Sequence, residues 1–348
     1  MIGGISRNMS DGTISKKEKI VGIEFVRAMF ATGIVCYHFA CHSAYAAPIL
    51  YRTKNAFWGH IIVMGFFLLS GGMLYLNDHE VKDIKKFYVK RMKSIFPLFY
   101  IAFLFFFFLN VIQAKKLFYG PSPWTMFLSV IGMDGYLLYL IPNYYTIGEW
   151  FLGAIIIVYL LYPLLVKLME KHPAITMSVI TILFLLQLLD GKVQMEKIRL
   201  PFTCIFPFAV GILLFKYKKV LDSNITLAVS GVLFLLFWLV YIPVDEVIST
   251  EVSGITLFII LYRIGNILTG QKAVAKVSGF LGALSYPVFL VQHQVVVRLQ
   301  LIKNPVSTRG YVVLLAASVA VSFFAAWILK NVYKTGRFLY NKIYVFNK

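Results

Sequence analysis

Apolar runs of about 20 residues, the length that crosses a bilayer as an α-helix, recur along the chain. Ten stand out, at 20–46, 57–76, 95–114, 146–166, 174–190, 201–216, 225–243, 251–269, 280–301 and 311–330. Backbone N–H and C=O groups find no partners in hydrocarbon, so such runs predict helices. The expected fold is all-α: a polytopic integral membrane protein with about ten transmembrane helices. A further tract, 124–141, is shorter and is interrupted by Gly132, Asp134 and Gly135. It is expected to be re-entrant or surface-lying and not to cross.

Ionisable positions inside the runs are few, and the first run holds the largest set: Glu24, Arg27, His38 and His42. An ionisable group at the bilayer centre costs several kcal/mol, so each is a functional candidate. Arg27 and His38 are eleven residues apart. At about 100° per residue they project within about 20° of each other, on the order of 16 Å apart along the axis. Glu24 lies one turn before Arg27, and His42 one turn after His38. This polar face must line a cavity or a polar bundle interior. The run at 280–301 adds Gln292, His293 and Arg298, with Ser285, Tyr286 and Pro287 in its other half. A second intramembrane histidine reinforces the cavity. Ser70, Gly71 and Gly72 form a small-residue patch that suits either close helix packing or substrate approach. At 146–166, Trp150 fits an interfacial aromatic belt. Glu149 beside it is either solvated or turned into the cavity as a second acid/base.

Charge sets the orientation. The 348 residues hold 34 Lys+Arg and 15 Asp+Glu, a net charge of +19. With the N-terminus in the cytoplasm and 124–141 not crossing, inner segments hold 23 basic residues and outer ones 9. A crossing at 124–141 would lower the downstream inner count from 13 to 5. The positive-inside rule therefore places both termini in the cytoplasm. The expected organisation is an N-terminal tail at 1–19, a membrane domain at 20–330 and a basic, aromatic tail at 331–348 on the inner membrane surface. Because the basic residues sit beside spans, the partner they indicate is the lipid bilayer and not nucleic acid. Lys85, Lys86, Lys90, Arg91 and Lys93 precede Pro97. They read either as an inner anchor with a proline helix start, or as a clamp for phosphates.

Composition agrees with a membrane protein: 59% hydrophobic residues and a mean hydropathy of +0.78. The first twenty residues have no separate apolar core or cleavage site, so no removable signal peptide is expected. Three unpaired-looking cysteines argue against a disulfide framework, and no metal-ligand spacing is present, so no metal is expected. Repeated intramembrane carboxylates, which a cation-coupled carrier would need, are missing.

These residues fall in an order that resembles the acyltransferase 3 family of integral-membrane acyltransferases. Arg27, ten residues and His38 match its first-span pair. Phe66, Phe67, Ser70 and Gly71 follow, then Lys90, Arg91, Lys93, Ile95 and Pro97. Trp150, Phe151, Leu152, Tyr159 and Pro163 come next, and Ser285, Tyr286, Phe289, Leu290 and His293 close the series. Gly72 and Glu24 depart from the usual pattern without touching the Arg–His pair. Many relatives carry an extracytoplasmic esterase-like domain after the last span, which this sequence is read as lacking.

The resemblance implies transfer of an acyl group, commonly acetyl, from cytoplasmic acyl-CoA to a hydroxyl. The acceptor would be a cell-envelope glycan or a lipid-linked sugar, and the location the bacterial cytoplasmic membrane. Under it, Lys90, Arg91 and Lys93 hold the CoA phosphates, with Ser70 and Tyr286 on the donor side. Arg27 positions the donor. His38 deprotonates the acceptor or carries the acyl group itself, and Glu149 and His293 orient His38 or the acceptor. The competing expectations are an exporter of glycan intermediates and a non-catalytic scaffold for envelope synthesis.

Overall fold

The computed structural model describes residues 16–45, 48–189 and 195–346, without the side chains of 16–21, Glu149, Thr269 and 343–346. Fifteen α-helices follow one another: α1 Lys16–His42, α2 Pro48–Tyr51, α3 Trp58–Asp78, α4 Ile84–Ala114, α5 Met126–Val130, α6 Asp134–Leu137, α7 Glu149–Lys171, α8 Pro173–Leu189, α9 Pro201–Lys216, α10 Lys218–Leu221, α11 Asn224–Leu239, α12 Glu246–Ile267, α13 Lys272–Gly282, α14 Ser285–Ile302 and α15 Thr308–Phe346. The fold is all-α and polytopic. Among the described residues six helices (α1, α3, α4, α7, α12 and α15) are long and apolar enough to cross a membrane. A bent pair, α13 with α14, passes the same test when taken together, and α8, α9 and α11 are shorter apolar helices. The interrupted tract forms only the short α5 and α6, with Gly132 at φ +72° in the turn between them.

The first helix is the hub, packing against α3, α12, α13 and α14. At about 100° per residue its surface divides into stripes. Val26, Phe30 and Ile34 join one buried cluster with α3, α7, α9 and α12. Ala31, Val35 and Phe39 join a second with α4, α14 and α15. Arg27 and His38 lie between the two apolar ridges. Large exposed side chains such as Phe105, Phe108, Ile182, Leu186, Val232 and Phe324 cover the bundle's outside, as lipid-facing surfaces require.

Three expectations need correction. First, the basic stretch before Pro97 is not a loop with a proline helix start. Asp83 caps α4 by accepting the Lys86 backbone N–H at 2.8 Å, so Lys85–Lys93 already lie on the helix and Pro97 falls inside it. Second, the helix of the last apolar run does not stop at 330, because α15 continues unbroken through 331–346. Third, the run at 280–301 is broken at Ala283 and Leu284, where α13 and α14 meet at 63°. Pro287 has no N–H to offer the carbonyl of Ala283. That carbonyl accepts instead from Lys330 Nζ at 2.7 Å, tying the break to α15.

The small-residue patch separates into two uses. A Cβ on Gly71 would come within 2.0 Å of the Phe208 carbonyl, and one on Gly211 within 2.0 Å of the Leu68 carbonyl. Gly71 and Gly211 thus permit backbone contact between α3 and α9. Ser70, one residue earlier, turns the other way into a cavity.

Candidate active site

Two cavities lie end to end along the polar stripe of α1. The larger, about 480 Å³, is lined by Arg27, Ser70, Asn77, Lys90, Arg91, Ser94, Tyr159, Ser285 and Tyr286, with Gly282 and Ala283 of the helix break. The smaller, about 160 Å³, is lined by Tyr37, His38, His60, Trp150, Arg199 and Gln292. Both are bounded by Phe66 of α3, Phe151 of α7 and Phe289 of α14. Phe151 packs edge-on against Phe289 at 5.4 Å between ring centroids and lies 6.2 Å from Phe66. These three rings form a septum between an Arg27 compartment and a His38 compartment.

The Arg27 compartment is rich in permanent charge. Arg27 donates to Glu24 Oε1 at 2.5 Å, which fixes the guanidinium one turn along its own helix. The other Glu24 oxygen is buried without a hydrogen-bond partner. Gly282 packs so closely here that a Cβ would lie 2.5 Å from that oxygen. At the mouth, Lys90 and Arg91 share Asp78 at 2.7 and 3.3 Å. This carboxylate orients the two cations, and no sequence motif had singled it out. Tyr286 donates to the Ile95 carbonyl at 2.9 Å, joining α14 to α4 along the cavity wall. Lys93 is not part of this compartment. It points to a neighbouring groove between α4 and α15.

The His38 compartment is built from imidazoles, an amide and aromatic faces. His38, His42 and His293 come together although His42 and His293 are 251 residues apart. The His38 and His293 rings stack at 4.7 Å, and His42 Nε2 lies 3.0 Å from His293 Nε2. One nitrogen of that pair must carry the shared proton. The ligand atoms of the three residues all lie within 4.8 Å, near enough to gather round a transition-metal ion. An ion there would take the place of the proton that His42 and His293 share, since only an unprotonated imidazole nitrogen ligates. Trp150, expected in an interfacial belt, instead lines the cavity with Arg199 over its ring at 5.8 Å. His60 faces Glu246 at 3.7 Å. The side chain of Glu149 lies outside the described residues.

Gln292, named in the sequence beside His293 but without a role, belongs to the site. It is fully buried, lines the His38 cavity, and has no hydrogen-bond partner for either side-chain atom. A buried unpaired amide costs on the order of 1–3 kcal/mol. Its position one turn after Phe289 is the available signal, because both fall on one face of α14. Arg298 proves structural. It donates to the Gln294 side-chain oxygen and to Asn110 Oδ1 at 3.0 Å, and lies over Phe106 at 5.4 Å, linking α14 to α4.

No curated protein and no solved structure matches the chain. The acyltransferase-domain profile matches residues 20–330, from the start of the polar stripe to the membrane part of α15. With that span covered, the chain belongs to the acyltransferase 3 family and is a membrane acyltransferase.

Proposed function

We propose that the protein transfers an acetyl group from acetyl-CoA, on the cytoplasmic side, to a hydroxyl of a cell-envelope glycan or lipid-linked sugar on the other side. Its site would be the bacterial cytoplasmic membrane. The observation that carries this reading is the pair of cavities, one holding Arg27 and one holding His38, that meet at Phe66, Phe151 and Phe289. A two-substrate transfer across a bilayer needs separate chambers and a narrow passage. An acyl group on an extended arm is slim enough to pass a displaced phenylalanine. A whole sugar, which an exporter would have to move, is not.

In this reading Arg27, Lys90 and Arg91 hold the donor by charge, the two guanidinium groups with two-pronged hydrogen bonding. Ser70 and Tyr286 line the path of the arm. His38 takes the proton from the acceptor hydroxyl as general base. The oxygen attacks the thioester carbonyl, the carbon–sulfur bond breaks, and His38 returns the proton to the departing thiolate. The negative charge that develops on the carbonyl oxygen needs a donor, and the Gln292 amide has one to give. His293 and His42 extend from His38 toward the surface and hold its ring in place. Trp150 and Tyr37 offer flat faces of the kind that stack on sugar rings.

Mass spectrometry of envelope glycans tests the reading. Cells carrying the wild-type protein should show acetyl esters, and His38→Ala cells should lose them at equal protein level, since general-base removal costs roughly 10²–10⁴ in rate. Undiminished acetylation in His38→Ala cells would sink the assignment.

A further inference from the structure

A groove of about 520 Å³ lies beside the Arg27 cavity, between α4 and the C-terminal part of α15. Its floor is apolar: Val89, Pro97 and Leu98. Its rim is basic, with Lys86, Lys90 and Lys93 from α4 and Arg337 from α15, and Tyr333 stands beside Arg337. Lys90 and Ser94 line both the groove and the Arg27 cavity, so the two adjoin across one turn of α4. Tyr333 and Arg337 lie beyond residue 330, where the family match ends.

The charge in the groove is poorly compensated. Asp78 is taken by Lys90 and Arg91. Lys86, Lys93 and Arg337 form no ion pair among the described residues. Like charges gathered over an apolar floor focus a positive potential that attracts an anion. An Arg on a facing helix adds planar, two-pronged recognition of phosphate, which lysines alone do not supply. Tyr333 offers an aromatic face next to it.

We propose that this groove seats the phosphorylated nucleotide end of the acyl donor, with Arg337 and Lys93 on its phosphate groups and Tyr333 against its base. The donor's arm then turns at Lys90 and Ser94 into the Arg27 cavity. This inference rests on the acyl-CoA reading above and extends the binding site past the family-matched segment. The recognised chemistry is a phosphate ester. An anionic lipid headgroup presents the same group, but a lipid would need only the groove and not the adjoining chamber.

The test uses full-length protein in nanodiscs of phosphatidylcholine alone, or with phosphatidylglycerol added. Binding of acetyl-CoA and of its 3′-dephospho form is measured for wild type, Arg337→Ala and Lys93→Ala. The wild type should prefer acetyl-CoA by roughly tenfold or more, and both variants should lose most of that margin in phosphatidylcholine. Acetyl-pantetheine, which lacks the nucleotide, should bind all three proteins alike. A margin retained in both variants would overturn the proposal. So would a wild type whose margin shrinks when phosphatidylglycerol is added while the variants' binding stays the same in both membranes, because the groove would then hold a headgroup. A wild type that binds no acetyl-CoA would fail at the underlying reading, which is a different result from a wild type that binds it without using the groove.

Discussion

The two chambers on the polar stripe of α1 differ in what lines them. The Arg27 chamber is lined by three cationic side chains, Arg27, Lys90 and Arg91, and by serine hydroxyls. The His38 chamber is lined mainly by imidazoles, an amide and aromatic faces, groups that move protons or stack, and its one guanidinium, Arg199, is paired with Glu196 at 3.0 Å. Clustered cations suit holding a polyanion. A side chain that titrates near neutral pH suits chemistry. One helix carries both because its eleven-residue spacing places the two groups on one side at different depths.

The comparison can be broken most severely at Gln292. Gln292→Leu removes the amide without changing the chamber's charge, so transfer should fall by about 10²–10³ while the KM for acetyl-CoA stays near wild type. A rise in KM with an unchanged maximal rate would move Gln292 from the reaction to donor binding. A smaller effect is expected at the septum. Phe151→Ala opens the wall between the chambers and admits water. Acceptor-independent release of CoA thiol should rise roughly several-fold, because water exclusion limits such side reactions. No increase would show that Phe151 does not separate the compartments.

The smallest effect concerns the support of the His38 side. Asp245 caps α12 through the Val247 N–H and pairs with Lys197 at 2.7 Å. Partial burial pushes its carboxyl upward, but the Lys197 hydrogen bond and the cap outweigh this and hold it below the usual range. A depressed folded value means the contribution is present above the unfolded value and lost as pH falls through the folded one. Asp245→Asn should therefore lower thermal stability at neutral pH by about 0.5 kcal/mol, as exposed pairs do. That gap should close in acid. A gap independent of pH would assign the effect to packing.

Much of this was legible in the sequence. Helix periodicity put Arg27 and His38 on one face, and the ten apolar runs fall on six helices long enough to cross a membrane, one bent pair and three shorter apolar helices. The septum was not, because Phe66, Phe151 and Phe289 come from three helices and meet only through tertiary packing. The same holds for Asp78 beneath Lys90 and Arg91, and for His42 against His293. Local chemistry misled at Trp150, whose interfacial reading was reasonable for an isolated helix. It also misled at Arg298, whose polar partners lie on α4 as well as on its own helix. Gln292 stands out in the sequence as a polar residue of its run but receives no role there, since an amide does not titrate. Its importance appears only when burial and the lack of partners are both known.

The division of labour along α1 is tested most directly by measuring acetyl-CoA binding and single-turnover acetyl transfer on the same preparations of Arg27→Gln and His38→Asn. The His38 variant should bind acetyl-CoA like wild type and transfer nothing measurable. The Arg27 variant should bind at least about tenfold more weakly, as expected for a lost charge-assisted contact, and recover part of its transfer at high donor concentration. Equal loss of donor binding in both variants would contradict the account, because the two chambers would then be one site.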